Sequence, residues 1–357
     1  MVSTAAGSVN FIGDLMTRRR LAALRRNGNA RFDAALAELQ HGHMTIANLE
    51  MPLSRRGYRA PKYSNMRSDP AIADDVRAMG VDAVTLTNNH MMDYGPDALF
   101  DTLAACDAAG LARCGAGADL DAADLDAALA PAQLDVDGRR LGLLNVSCTL
   151  PVGSEAAPGK PGIAPLHVEF SFEVDTNLLA EQPGTMPMVR SRTNDADRAA
   201  VCQRVTAMRA EADDVVVAVH WGVPSYWLSP HQGLLAEYQQ PLAHALIEAG
   251  ADMVYGHHAH SLHPIEVYQG KPIFYSLGNF MFDEPRAFME PEFVIVSLIL
   301  GDRPSIALTP LLLDERGMPR LVKATDAAAV LDKIERLSAS FGTVLSRHAE
   351  RASLVLP

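Results

Sequence analysis

Several features that separate broad classes of protein are scarce or missing in this sequence. No uninterrupted apolar run reaches about 18 residues, so we expect no transmembrane helix. The four cysteines lack the C-x-x-C spacing of metal and redox motifs, which favours reduced thiols in a cytosolic protein. The first residues carry neither a basic segment nor a long apolar stretch before the first motif at Asp14. We therefore expect no cleaved signal peptide and a cytoplasmic location.

Basic residues are also too few to form a nucleic-acid-binding surface. The chain has 31 Lys and Arg against 43 Asp and Glu, a formal net charge of −12 and a pI of about 5.4. This balance argues against duplex DNA or an anionic membrane as a partner, but it is compatible with a small anionic substrate held at a metal. The 357 residues are 48% hydrophobic and can bury a large core. We predict one domain over residues 1–357, and the oligomeric state stays open.

The sequence does contain a repeated order of short apolar strand, polar motif and helix-like stretch. Strands are predicted at 8–12, 44–47, 83–86, 214–219 and 251–255, and helices at 69–79, 96–109 and 239–249. This alternation predicts an α/β fold built on largely buried strands. Ligands of such sheets bind beyond the carboxyl ends of the strands, which is where the candidate residues below lie.

Two later segments depart from this order. Residues 151–195 contain six prolines and several glycines, and we predict a lid-like insertion that carries one strand, 167–174. The alternative is a solvated surface excursion. Near the end, 293–300 is predicted to be another strand and 325–347 an amphipathic closing helix.

The most informative motif is Gly256-His257-His258-Ala259-His260, which places three of the 12 histidines within four residues after a predicted strand. The i, i+2 spacing of His258 and His260 lets two imidazoles converge from one side of an extended loop. Neutral imidazole is a common ligand of divalent transition metals. The alternative interpretation is a surface loop that is rich in histidine.

Polar side chains follow the other predicted strands as well. The candidates are Asp14, Glu50, Asn89 with the adjacent His90 and with Asp93, and His220. His220 ends a very apolar strand, where an unpaired imidazole would be costly, although a hydrogen-bonded core histidine explains it equally simply on its own. Together with His258 and His260, these residues form a mixed oxygen and nitrogen set that suits Mn, Fe or Zn better than Ca or Mg.

In this order the motifs resemble one known family. They are Gly13-Asp14-Leu15-Met16, Asn48-Leu49-Glu50, Thr87-Asn88-Asn89-His90 with Asp93 and Gly95, His220-Trp221-Gly222, the histidine motif, and Tyr275-Ser276-Leu277-Gly278-Asn279-Phe280. Over roughly residues 8–300 the sequence resembles the CapA group of poly-γ-glutamate capsule synthesis proteins, a branch of the calcineurin-like metallophosphoesterases. The resemblance implies a four-layer α/β/β/α sandwich with two divalent ions at the carboxyl ends of the strands.

The resemblance also implies a role for each candidate residue. Asp14 and His260 would bind one ion, Asn89, His220 and His258 the other, with Glu50 between them and His90 as the acid or electrostatic group near the leaving atom. Two ions about 3.5–4 Å apart can activate a bridging water. Typical phosphoesterases have a histidine where this chain has Met16 and an aspartate where it has Glu50. These departures leave open that one of the two ion sites is weak.

Three functions remain open on this basis. The first is hydrolysis of an amide, γ-glutamyl peptide or related ester bond by metal-activated water. The second is epimerisation of a peptide α-carbon in natural-product biosynthesis, and the third is a non-catalytic, metal-stabilised binding protein in polyglutamate metabolism. For either enzyme the predicted catalytic residues are His90, His257 and Asp93. The predicted substrate-binding residues are Trp221, Tyr226, Trp227, Arg190, Arg192 and Asn279, although two buried rings in a surface loop would explain the aromatic ones equally well.

Overall fold

The computed structural model describes residues 7–25, 29–121, 127–222, 234–285, 289–301 and 304–356. Two central β-sheets face each other, and α-helices cover their outer sides. The strands are β1 (Ser8–Met16), β2 (Met44–Leu49), β3 (Ala83–Thr85), β4 (Ala112–Cys114), β5 (Ala116–Gly117), β6 (Ala132–Val136), β7 (Arg139–Ser147), β8 (Gly162–Ile163), β9 (Val168–Glu173), β10 (Met188–Thr193), β11 (Asp214–His220), β12 (Met253–His257), β13 (Ile265–Tyr268), β14 (Lys271–Phe274), β15 (Asn279–Phe282), β16 (Glu292–Ile299), β17 (Ser305–Leu313), β18 (Pro319–Leu321), β19 (Leu345–His348) and β20 (Arg351–Leu354). The helices are α1 (Leu21–Leu24), α2 (Ala30–Leu39), α3 (Ile72–Ala78), α4 (Gly95–Ala108), α5 (Thr176–Glu181), α6 (Asp195–Glu211), α7 (Gln239–Glu248) and α8 (Ala324–Ser338).

The larger sheet has the strand order β19-β20-β17-β16-β1-β2-β3-β4, with β15 also paired to β1 and β18 to β17. Strands β1 to β4 run parallel, so the ends of β1, β2 and β3 lie at the same edge. β1 changes partner along its length, pairing antiparallel with β16 over Ser8 to Phe11 and parallel with β15 from Asp14 onward. Asp14 therefore lies where two partner strands meet.

The smaller sheet has the order β13-β14-β12-β11-β7-β6, in which β7, β11, β12 and β14 are parallel. β11 is its central strand, and every residue from Asp214 to His220 is buried. A continuous run of valines is the pattern expected of a parallel strand that is covered on both faces. His220 is the last residue of this strand and His257 the last of β12, so both sheets deliver their candidate residues at carboxyl ends.

Three hydrophobic clusters establish the four layers. One cluster lies between the sheets and contains Phe11 of β1 against Tyr255 of β12, with ring centroids 4.9 Å apart. A second joins the larger sheet to α2, α3 and α4, and a third joins the smaller sheet to α6 and α7. The predicted four-layer α/β/β/α sandwich is confirmed. Helix α8 packs its Val330, Leu331 and Ile334 into the cluster between the sheets.

Two predicted elements need correction. The segment 151–195 carries two long strands rather than one, because β9 pairs with β10 in an antiparallel ribbon that also holds α5. The closing helix ends at Ser338 rather than at 347, since a short 3-10 turn and Gly342 in the left-handed conformation reverse the chain before β19. The single-domain organisation stays a prediction. In the described part of the chain, no helix is long and apolar enough to cross a membrane.

Candidate metal centre

The carboxyl edges of the two sheets meet, and six predicted metal ligands converge there. The larger sheet supplies Asp14, Glu50 and Asn89, and the smaller sheet supplies His220, His258 and His260. Contacts cross from one sheet to the other. The backbone N–H of His258 donates to Oδ2 of Asp14 at 3.2 Å, and Nε2 of His220 lies 2.9 Å from Oδ1 of Asn89.

Two glycines allow the backbone to pack this closely. A Cβ on Gly13 would lie 1.8 Å from the carbonyl oxygen of Gly278, which accepts the backbone N–H of Asp14. A Cβ on Gly256 would lie 2.2 Å from both Nε1 of Trp221 and the carbonyl oxygen of Tyr275. Such distances leave no room for any side chain, so glycine is required at both positions.

The histidine loop has a strained backbone. His258 has φ 89° and His260 φ 52°, in the left-handed region that side chains other than glycine rarely adopt. Such conformations each cost about 1–3 kcal/mol and persist where the surrounding structure holds them. Here the carboxylate of Asp14 accepts the backbone N–H of His258, and Oδ1 of Asn279 lies 2.8 Å from Nδ1 of His260.

Glu50 joins two groups of potential ligand atoms. One group contains Glu50 with His220 and His258, the other Glu50 with Asp14 and His260, and within each group the donor atoms lie within 4.8 Å of one another. Oε1 of Glu50 is 3.9 Å from Nε2 of His220 and 3.7 Å from Nε2 of His260. These separations are too long for hydrogen bonds. They suit atoms that share one ion at about 2.0–2.2 Å, which lie roughly 3–4 Å from each other.

The surroundings of Glu50 test whether a metal fits. Its side chain is fully buried, and neither carboxylate oxygen has a hydrogen-bond partner among the described residues. A buried carboxylate without such a partner is costly unless it coordinates a cation. The donor set of carboxylates, an amide and imidazoles also matches what Mn, Fe and Zn bind. The residues therefore fit divalent metal ions.

The electrostatics of the centre agree with this fit. Burial, and then the neighbouring charge of Asp14, raises the pKa of Glu50 well above its usual range. Burial lowers the pKa of His258 to about 3, so this imidazole is neutral, the form in which histidine ligates metals. Burial would also lower the pKa of His260, but Glu50 and Asp14 raise it to about 9. The two carboxylates thus favour positive charge at this point, which a divalent ion provides.

His90 stands beside the ligands in a network of its own. Nδ1 of His90 lies 2.7 Å from Oδ2 of Asp93, and both residues are buried. The ammonium of Lys62 lies 2.5 Å from Oδ1 of Asp93 and 3.3 Å from Nδ1 of His90, and it also donates to the backbone carbonyl of Asn89. The structure thus brings together His90 and Asp93, two of the three predicted catalytic residues. Lys62 was not predicted from the sequence.

Three residues predicted to act on the substrate lie behind the ligands. Trp221 is fully buried, and its indole N–H donates to the carbonyl of Tyr275 at 2.8 Å. Asn279 is also fully buried and contacts the ring and the backbone carbonyl of His260. Their substrate contacts stay predictions. His257 is buried with Nε2 3.5 Å from the carbonyl of Ile12, which places it beneath the centre and leaves its catalytic role a prediction.

The remaining predicted substrate contacts come from the insertion and from the loop after His220. Arg190 pairs with Glu173 at 2.9 Å and with Glu237 at 2.5 Å, and Arg192 pairs with Glu169 at 2.6 Å. Both arginines lie on the exposed ribbon, where carboxylates of the chain already occupy them. Tyr226 and Trp227 lie outside the described residues.

A cavity of about 330 Å³ opens beside Asn89. Its walls come from the loop around Tyr58 to Lys62, from the His90 loop and its following turn, and from residues 151–154 with 160–161. The first part of the predicted lid thus lines a pocket next to the candidate ligands. The ribbon formed by β9 and β10 contributes none of the described lining residues.

Comparison with known proteins gives consistent matches. The family model described as bacterial capsule synthesis protein PGA_cap matches residues 8–284, a range that contains all six candidate ligands. The chain is 29% identical over 281 residues to the PGA biosynthesis protein CapA of Bacillus subtilis strain 168, which covers 78% of this chain and 63% of that protein. The chain thus spans less than two thirds of that relative.

Two further proteins match this chain over a larger share of their own length. The chain is 30% identical over 346 residues to a probable polyglutamine synthesis accessory protein of Mycobacterium tuberculosis, with 90% of this chain and 80% of that protein covered. Among solved structures, a hypothetical protein from Thermus thermophilus superposes with a TM-score of 0.45 at 18% identity, covering 85% of this chain and 97% of the other.

Proposed function

We propose that this chain, which belongs to the bacterial capsule synthesis protein PGA_cap family, is a metal-dependent hydrolase. This family is part of the metallophosphoesterase-like superfamily. Its substrate would be an amide bond in a γ-glutamyl peptide, or a related ester. The name of its Bacillus subtilis relative, a PGA biosynthesis protein, supports this substrate class.

One observation carries the proposal. Glu50 is a fully buried carboxylate that lies at coordination spacing from the imidazoles of His220 and His260, and it belongs to both ligand groups. A protein that only binds a partner has no need of two adjacent cation positions where the carboxyl edges of two sheets meet. A hydrolase has such a need, because paired ions lower the pKa of a water molecule and stabilise charge on a tetrahedral or phosphoryl-like transition state.

The chain's own residues would then divide the remaining work. His90 lies beside Asn89, and its Nε2 would give a proton to the leaving atom. Asp93 fixes the ring from the Nδ1 side, and Lys62 holds Asp93 in turn. General acid groups of this kind typically contribute about 10²–10⁴-fold to the rate.

The decisive experiment combines metal analysis with product analysis. The protein is purified without chelator, its metals are counted, and it is incubated in heavy water with γ-linked glutamate peptides and with α-linked peptides. We expect one or two divalent ions per chain and cleavage of the γ-linked peptides without deuterium at the α-carbons. Deuterium without cleavage would identify an epimerase instead. Metal below about a tenth of an ion per chain, unchanged by added Mn or Zn, would exclude the metal-dependent mechanism.

Matched histidine variants locate the activity. We expect His220→Ala and His258→Ala each to lower metal content and cleavage, because these two imidazoles and Glu50 form one of the two ligand groups. His41→Ala and His348→Ala serve as controls, because these side chains are exposed on α2's exit turn and on β19. Equal behaviour of all four variants would show that the ligand assignment is wrong.

A further inference from the structure

The cavity beside Asn89 has a charge that contrasts with the rest of the molecule. Its lining includes Arg59, Lys62 and Lys160, against Asp93 as the one acidic side chain among the described lining residues. Three cations and one carboxylate thus face a single cavity in a chain whose net charge is −12. Cations concentrated in a concave site with low-dielectric walls focus the local potential and attract anions.

The cationic side chains of this cavity have N–H groups that can donate to a ligand. Lys62 is engaged with Asp93, Asn89 and His90, so it forms part of the wall. Arg59 donates its Nε–H to Asn65 at 2.6 Å, which uses one of the five N–H groups of a guanidinium. Nζ of Lys160 lies 3.3 Å from Glu155, and the side chain remains 42% exposed. Arg59 and Lys160 therefore approach the cavity from two different loops.

A buried hydroxyl gives an independent sign of a ligand. Ser154 lines the same cavity and is 4% exposed, yet its Oγ has no hydrogen-bond partner among the described residues. Buried hydroxyls are normally paired, and an unmade hydrogen bond costs about 1–3 kcal/mol. A ligand oxygen in the cavity would satisfy Ser154.

We propose that this cavity is a carboxylate-binding subsite, in which Arg59, Lys160 and Ser154 hold a free carboxylate of the substrate while an adjacent bond reaches the candidate metal centre past Asn89. The inference rests on the proposed function, since it adds a specificity element to the same centre. It assigns substrate selection to the loop 58–62 and to residues 151–161, and none to the ribbon of β9 and β10. In an acidic protein, local cations of this kind would help to attract an anionic substrate.

Equilibrium binding to the full-length protein tests the subsite separately from turnover. The probe is a pentamer of γ-linked glutamate, titrated calorimetrically against metal-loaded full-length protein in which every variant also carries His90→Ala to suppress turnover, with mass spectrometry afterwards to verify that the pentamer is intact. We expect Lys160→Gln and Arg59→Gln each to weaken binding about tenfold, with Lys160→Arg close to wild type because it keeps the charge. The affinity should also fall as salt is added.

Controls separate a local effect from a change in overall charge. Lys323→Gln makes the same substitution at an exposed lysine before α8, and we expect unchanged affinity. A fully amidated pentamer should bind at least about tenfold more weakly, since it lacks charge-assisted hydrogen bonds. A pentamer amidated only at its internal carboxylates shows whether an internal or a chain-end carboxylate occupies the cavity.

The outcomes decide between this inference and the proposed function. Equal affinity in Lys160→Gln, Arg59→Gln and Lys323→Gln would overturn the subsite, even if the wild type cleaves the pentamer. Binding of inorganic phosphate, with no binding of the pentamer, would likewise overturn the carboxylate assignment. Binding that depends on Lys160 and Arg59 but is never followed by cleavage would support the subsite and contradict the hydrolase.

Discussion

Replacing Glu50 with glutamine changes the one residue that both ligand groups share. Glutamine keeps the volume of the side chain but removes the anionic oxygen that lies 3.7 Å from His260 and 3.9 Å from His220. Without metal, burial and then Asp14 raise the pKa of Glu50, and its oxygens have no hydrogen-bond partner among the described residues, so glutamine breaks no hydrogen bond there. We therefore expect Glu50→Gln to change the free energy of unfolding of the metal-free protein by less than about 1 kcal/mol.

With metal present, the wild type and Glu50→Gln should differ in the free energy of unfolding. A ligand at 100 times its dissociation constant stabilises the folded state by about 2.7 kcal/mol. Outer partners of metal ligands commonly contribute 10–100-fold to affinity, so loss of a shared direct ligand should weaken binding at least about 100-fold. At the same metal concentration the variant would then gain only about 0.4 kcal/mol. For a chain of this size, these values correspond to a rise of roughly 4 °C in the unfolding temperature of the wild type and about 0.5 °C in Glu50→Gln.

The assay is thermal unfolding of chelator-treated, dialysed protein with and without a fixed concentration of Mn²⁺ or Zn²⁺. Glu315→Gln is the matched control, because Glu315 is exposed in the turn after β17 and should retain the full metal-dependent rise. A full rise in Glu50→Gln would refute the argument that this carboxylate joins the two groups. The absence of any rise in the wild type would refute the metal centre itself.

Three further predictions follow from other parts of the structure. His90→Ala should retain its metal ions but lose about 10²–10⁴-fold in turnover, and steady-state kinetics with metal analysis would detect near-normal activity if His90 is dispensable. Gly256→Ala should lower the free energy of unfolding by about 1–3 kcal/mol, because its Cβ would lie 2.2 Å from Nε1 of Trp221; a denaturant titration that overlays the wild type contradicts this. Replacing 169–192 by a short Gly/Ser bridge should leave metal content and pentamer affinity unchanged, because Val168 and Thr193 are paired neighbours at the base of the ribbon. Loss of pentamer binding in a folded, metal-loaded variant would assign substrate recognition to the ribbon.

The order of the candidate ligands was predictable because each follows a strand that is itself readable. Runs such as the valines before His220 identify buried parallel strands, and parallel strands in one sheet end at one edge. The sequence therefore indicates that Asp14, Glu50 and Asn89 meet. That these residues also meet His220 and His258 depends on how the two sheets face each other, which the resemblance to a known family supplied and local pattern did not.

Other features depend on tertiary contacts that leave no local pattern. Lys62 lies 27 positions before Asn89 in an irregular loop, and only the fold brings its ammonium to Asp93. Trp221 and Asn279 have the chemistry of substrate contacts, but the sequence does not show that their side chains face the interior. The predicted helix after 325 was too long, because α8 ends at Ser338 in a turn whose left-handed residue, Gly342, lies four positions beyond.

The division of the ligand groups between two sheets has a consequence for how the protein matures. Asp14 and His258 are 244 positions apart, so their contact forms only after most of the chain has been synthesised and both sheets have docked. Contacts of such long sequence separation are closed late, after the loop entropy of the intervening chain has been overcome. The ion would therefore be acquired as a final step of folding. Once bound, the ion would hold the two sheets together. A chelator would therefore weaken the contacts between the sheets before it unfolded either of them.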